Sequence, residues 1–200
     1  MNIPVSRRRT AAVGTLLLST MLAIGCKDRT PSEPDYDPDD YKLVACTPSS
    51  DRLGLGVADQ QLMARIRGAT ARYQNVDVAR AEGYVDDGFG CIADPALGGM
   101  GWHLINDALH ADPATDPLRP DLLVYEPQAD GKLKLVALEY EVYQADWLGA
   151  GNTSAPRLLG QEFPLVDFPG LPLLYGLHVW LWRENPSGMF ADFNPRVQCP

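Results

Sequence analysis

Histidine is scarce in this 200-residue chain, with three in all, and basic residues are outnumbered by acidic ones, 17 to 26. The resulting formal charge of −9 argues against nucleic acid as a partner, since such binding rests on basic patches that neutralise phosphates. No two of the four cysteines have C-x-x-C spacing, which argues against a thiolate zinc site. A G-x-S-x-G elbow is missing, so no serine nucleophile stands out. The glycine-rich stretch Gly98-Gly99-Met100-Gly101 lacks the lysine and the spacing of a phosphate-binding loop. No internal repeat is visible. The uncharged run Ala11 to Ile24 would make only about 21 Å of helix, short of the roughly 30 Å hydrocarbon core of a bilayer.

That run has the length of a signal-peptide apolar region, and Arg7, Arg8 and Arg9 supply the positive start. It ends in Leu22-Ala23-Ile24-Gly25-Cys26, which resembles the lipobox of bacterial lipoproteins, except that Ala23 stands where leucine is preferred. The resemblance implies cleavage before Cys26 and lipidation of its thiol. Ser6-Arg7-Arg8-Arg9 also resembles a twin-arginine export signal, with Thr10-Ala11 where bulky apolar residues are expected. Residues 26–45 are acidic and carry Pro31, Pro34 and Pro38; a composition with so little to bury is expected to remain an extended tether. Removing residues 1–25 takes away three arginines and no acid, so −9 becomes −12. A surface that acidic does not dock on anionic lipid, and the membrane partnership rests on the anchor alone. The expected location is the cell or outer membrane, facing the periplasm or exterior; Lys27 rather than Asp after the cysteine leans toward outer-membrane sorting.

Residues 46–200 suffice for one domain with a real core and not for two. With Cys26 lipidated, three thiols remain in an oxidising compartment. Cys91–Cys199 is the expected bridge, with Cys46–Cys199 its competitor; closing a loop of about a hundred residues contributes roughly 4–5 kcal/mol. The expected fold class is α+β: an N-terminal helical pair followed by a mainly antiparallel sheet with long loops. Leu62, Ile66, Ala69 and Tyr73 recur at helical spacing, so 59–73 and 75–82 read as helices, with Asp59 and Asn75 as N-caps and Gly83 as the stop. Residues 85–101 read as irregular. Asp121 to Glu126 and Leu133 to Tyr143 flank Asp130-Gly131 and read as a hairpin. Leu173 to Trp182 reads as a central strand, and 146–172 as a long connection.

The chemistry is sought where polar groups fall on apolar faces. His178 lies within the most apolar strand, on a pleat face with Leu174, Gly176, Trp180 and Trp182, where an unpaired ring nitrogen costs about 1–3 kcal/mol. Glu139 and Glu141 share a face with Leu133, Leu135 and Ala137. Either that end of the strand emerges into water or the carboxylates answer a cation. If Trp102 to Ala111 is helical, His103, Asp107 and His110 fall on one face, which is either a local metal site or an ordinary exposed polar face. The broader hypothesis joins His103, Glu139 or Glu141, and His178. Two imidazoles and a carboxylate suit zinc, non-haem iron or manganese and leave a position open for water or a small ligand. A metal-free acid–base pair and a purely structural role both stay open, and with the latter a non-enzymatic ligand- or protein-binding module. The aromatics Trp180, Trp182, Phe190 and Phe193 read as core or pocket wall.

The pieces Gly99-Met100-Gly101-Trp102-His103, Leu138-Glu139-Tyr140 and the run LHVWLWRENPSGMFADFNPRVQC from Leu177 to Cys199 together resemble a group of uncharacterised bacterial proteins, often exported. The resemblance spans roughly residues 60–200. It implies a single domain and points to His103, Glu139 and His178, and it brings no activity or cofactor with it.

Overall fold

The computed structural model describes residues 54–168 and 170–200; the expected signal peptide, Cys26, the tether and Cys46 lie outside the described residues. The described chain opens with α1 (Val57–Thr70), a single 3-10 turn over Ala71–Gln74, and α2 (Val76–Ala81). α1 starts at Gly56 without a side-chain cap, so Asp59 occupies the first turn instead of capping it. Asn75 does cap α2, accepting from the Asp77 amide at 3.1 Å. Gly83, at φ +96°, ends the helix in a conformation that disfavours any side chain. None of the helices among the described residues is long and apolar enough to cross a membrane.

Strands follow: β1 (Val85–Asp94), β2 (Gly98–Ile105), β3 (Leu122–Pro127) and β4 (Leu133–Tyr143), with the one-turn helix α3 (Asp107–His110) after β2. The long connection contains α4 (Gln144–Gly149), a small hairpin of β5 (Arg157–Leu158) and β6 (Gln161–Glu162), and β7 (Leu165–Val166), before β8 (Leu174–Val179). The main sheet has the order β1-β2-β3-β4-β8-β7 with every pairing antiparallel. The fold is α+β.

Two expectations are corrected here. Residues 85–101 are not irregular, and Trp102 to Ala111 is not a helix: β1 and β2 occupy most of that stretch, and only Asp107–His110 is helical. The glycines that suggested a loop are what the pairing requires. Gly101 sits at φ +121°, and a Cβ there would come within 2.7 Å of Val124 Cγ1 on the next strand. Gly99 donates its amide to Val197 O at 2.9 Å and pairs with Asn194, so the C-terminal run lies directly on the strand's backbone. A disulfide between Cys91 and Cys199 fastens that run to β1 across a sequence separation of 108.

The two faces of the sheet bury different things. Leu104, Leu123, Tyr125, Leu135, Leu138, Tyr140, Leu177 and Val179 pack against Ile66, Tyr73 and Ala79 from the helices. Tyr125 and Tyr84 also anchor loops through their hydroxyls, donating to Tyr73 O at 2.8 Å and Pro120 O at 2.7 Å. The opposite face carries Val124, Val136, Ala137, Trp180 and Val197.

A bulge in β4 divides these sets. Val124 pairs with Ala137 and Tyr125 with Leu135, leaving Val136 as the extra residue. The carbonyl of Val136 accepts the amides of Trp182 and Arg183, each at 3.1 Å. As a result Leu133 and Leu135 face the helices, while Ala137, Glu139 and Glu141 face the other way. The expected shared face of Leu133, Leu135 and the glutamates is therefore wrong, because simple alternation does not survive an inserted residue. Trp182 departs in the same manner: beyond the end of β8 it joins the helix-side core, under the Arg67 guanidinium at 5.3 Å, while Trp180 stays beside His178.

Candidate metal centre and its cavity

Cross-strand pairing puts Glu139 directly opposite His178. His103 pairs with Val124 of β3, two strands from Glu139 and three from His178, and lies on the same face. At roughly 4.7–4.9 Å per strand, the backbone of His103 stands about 9–10 Å from that of Glu139 and about 14–15 Å from that of His178, so these side chains meet only by leaning over β3 and β4. They do meet. His103 Nε2 lies 3.3 Å from His178 Nε2 and 3.3 Å from Glu139 Oε2, and His178 Nδ1 lies 3.2 Å from Glu139 Oε1. All three residues are buried, and their candidate ligand atoms fall within 4.8 Å of one another.

Those separations have a chemical meaning. Four ligands placed tetrahedrally at the 2.0–2.1 Å typical of zinc–nitrogen and zinc–oxygen bonds stand about 3.3–3.4 Å apart. The distances from His103 Nε2 match that edge. Behind each ring stands a further carboxylate: Asp87 Oδ2 is 3.9 Å from His103 Nδ1, and Asp192 Oδ1 is 3.9 Å from His178 Nδ1. Carboxylates behind ligating histidines are the usual means of fixing ring orientation and tautomer. His103 Nδ1 itself is buried and makes no hydrogen bond.

The electrostatics lean the same way. Burial holds His103 down to about 4, and burial together with the neighbouring His103 holds His178 well below the ordinary histidine range. Burial first, and then the charges of Glu141, Asp192 and Asp87, push Glu139 well above the usual carboxylate range. Burial also raises Asp87 and Asp192. With only protein around the group, burial favours the neutral form of both imidazoles and of the Glu139 carboxyl. Neutral imidazole is the form that ligates a cation, and a cation would let Glu139 ionise. The group His103, Glu139 and His178 can hold a metal ion.

Glu141 belongs elsewhere. Its Oε2 lies 3.1 Å from His110 Nε2, off the line needed for a hydrogen bond, and its amide donates to Asp121 Oδ2 at 3.1 Å. Burial pushes Asp121 up to about 7. His110 is raised: burial alone would lower it, but Glu141 and then Asp121 and Asp107 outweigh that. The local helix site of His103, Asp107 and His110 does not form, because His103 lies on β2 and the other two on α3. His103, Asp107 and His110 nevertheless line one cavity of about 300 Å³, together with Glu139 and Glu141. Sequence reasoning missed Asp87, Asp121 and Asp192, all outside regular alternation. The Asp86-Asp87-Gly88 turn, where Asp86 Oδ1 accepts the Gly88 amide at 2.8 Å, was the available signal for the first. The expected aromatic cluster is split between faces: Trp180 stacks near His178, with ring centres 6.3 Å apart, whereas Trp182 and Phe190 join the helix-side core.

The chain matches no family model, no curated protein and no solved structure, so the site is read from its own geometry alone.

Proposed function

We propose that this chain is an exported, lipid-anchored envelope protein whose folded domain carries a mononuclear divalent-metal centre, held by His103, Glu139 and His178 and opening on a small-ligand cavity. The carrying observation is that three buried residues on three strands each bring one ligand atom within 4.8 Å of the other two, with His103 Nε2 3.3 Å from both His178 Nε2 and Glu139 Oε2. Two nitrogens and one oxygen suit zinc, non-haem iron or manganese. Three protein ligands leave at least one position for water or substrate, where such a metal supplies Lewis acidity or an activated water. The anchor is supported by Arg7 to Arg9, the apolar run and Cys26.

The test is metal analysis of protein expressed without residues 1–25, alongside His178→Ala. The expected result is near one metal per wild-type chain and much less in the variant. The rival reading is a metal-free binding module, favoured by the 3.3 Å approach of the two imidazoles, which can satisfy one another. It predicts metal well below one per chain in both proteins, with His178→Ala merely less stable.

A further inference from the structure

The cavity has walls of two kinds. Its polar lining is His103 and Glu139 of the metal group with Glu141 and His110, which we call the floor; its apolar lining includes the exposed rings of Phe89 and Phe168 at the mouth. Those two rings meet edge to face, 5.3 Å between centres, yet remain 50% and 38% exposed. Phe89 stands where the register of β1 shifts, between Gly88 at φ +86° and Gly90 at φ +74°, and its ring lines the cavity. Single exposed apolar side chains are ordinary, but Val85 and Leu171, 50% and 37% exposed, line the same opening. Four such residues around one cavity form a patch with a purpose.

Charge narrows the occupant. Asp86, Asp87, Asp107 and Glu141 line the cavity, and among the described residues no lysine or arginine does. A bound divalent ion would offset only part of that charge. Size narrows it further: the volume is about twice the roughly 150 Å³ apolar cavity that accepts benzene. Building on the proposed small-ligand cavity, we infer that the site takes a hydrophobic molecule of about two rings' bulk. Its body packs between Phe89 and Phe168, and its polar end, facing the carboxylates, is neutral or cationic and never anionic. Selectivity then comes from like-charge exclusion on the floor and from contact area at the mouth.

The experiment uses three probes with one body: 2-naphthalenemethanol, 2-naphthylmethylamine and 2-naphthoate. Each is titrated by calorimetry into chelator-treated and zinc-loaded protein. In the chelator-treated protein the alcohol and amine should bind at least about tenfold more tightly than the carboxylate, a difference of about 1.4 kcal/mol. The Phe89→Ala, Phe168→Ala double variant should lose about tenfold or more for both, with its metal content unchanged. Because both rings are exposed, folding of that variant is checked by circular dichroism. Phe168→Lys provides an independent arm: a cation at the mouth should narrow the preference against naphthoate. Equal or tighter naphthoate binding to chelator-treated protein, no measurable binding of any probe, or unchanged affinity in the folded double variant would each overturn the inference. Probe binding by protein that never loads metal would refute the metal centre alone. Metal loading without probe binding would refute the ligand class alone.

Discussion

Glu139→Gln separates the two states of the metal group, because it should be favourable to the fold and ruinous to metal binding. Glu139 is buried and held well above its ordinary carboxylate range by burial and by the charges of Glu141, Asp192 and Asp87. In the unfolded chain the same carboxyl releases its proton near 4.5. A folded-state value above the unfolded one means stability that is fully present below pH 4.5 and lost as pH rises. Each further unit over which the folded state keeps the proton costs about 1.4 kcal/mol. Glutamine is close in shape to the protonated acid and carries no such cost. Metal-free Glu139→Gln should therefore match wild type near pH 4.5 and become more stable than it as pH rises. At about 2–4 °C per kcal/mol for a domain of this size, the gap opens by roughly 3–5 °C per pH unit. Zinc should invert the order. A ligand at a hundred times its dissociation constant adds about 2.7 kcal/mol, or roughly 5–11 °C, to wild type and little to the variant. Thermal unfolding followed by circular dichroism, with and without chelator, measures both effects. A variant less stable than wild type at pH 7 without metal would refute the account of Glu139 as a costly buried acid. Equal zinc shifts in the two proteins would remove Glu139 from the ligand set.

Two further outcomes test the rest of the molecule. Replacing Cys91 and Cys199 by serine opens a loop closed over 108 residues; the chain-entropy relation gives a loss of up to about 4.8 kcal/mol, with a larger m-value in urea, and a loss under about 1 kcal/mol would show that the C-terminal run is held by its backbone pairing alone. Cys26→Ser, expressed with the native N-terminus, should move the protein from the membrane fraction to the soluble one; unchanged fractionation would mean that Cys26 is not the anchor.

Much of the architecture was legible because it follows local rules. Leu133 to Tyr143 is a mainly apolar run that follows a turn dipeptide, and β4 has those limits. Asn75 precedes an apolar helical stretch and caps it. Cys91–Cys199 was the favoured bridge and is the one present. The misreadings share one physical cause, which is backbone irregularity within strands. Positive-φ glycines at 88, 90, 98 and 101 look like a loop from composition, yet they sit inside β1 and β2; at Gly98 and Gly101 a neighbouring backbone or side chain also needs the space. With β2 unseen, His103 was placed on a helix that does not exist. The triad was still found, because buried histidines and an acid on an apolar strand must answer one another wherever the chain brings them together. Asp87, Asp121 and Asp192 stayed hidden, since Asp87 falls where the register of β1 shifts, Asp121 just ahead of β3, and Asp192 in a loop, and none of these places has a periodicity to betray it.

Val136 makes the chemistry of this sheet a matter of parity. One residue more than its partner strand requires puts Leu135 and Glu139 on opposite sides, although they stand an even number of places apart. Deleting it would force half of β4 to change sides. The domain would have to bury two carboxylates under α1 or drop a leucine onto the floor of the cavity. Strand, length and hydrophobic content would all survive such a deletion, and the site would not. A sheet of this kind can thus gain or lose a reactive centre by a single-residue insertion, without exchanging any of the residues that compose it.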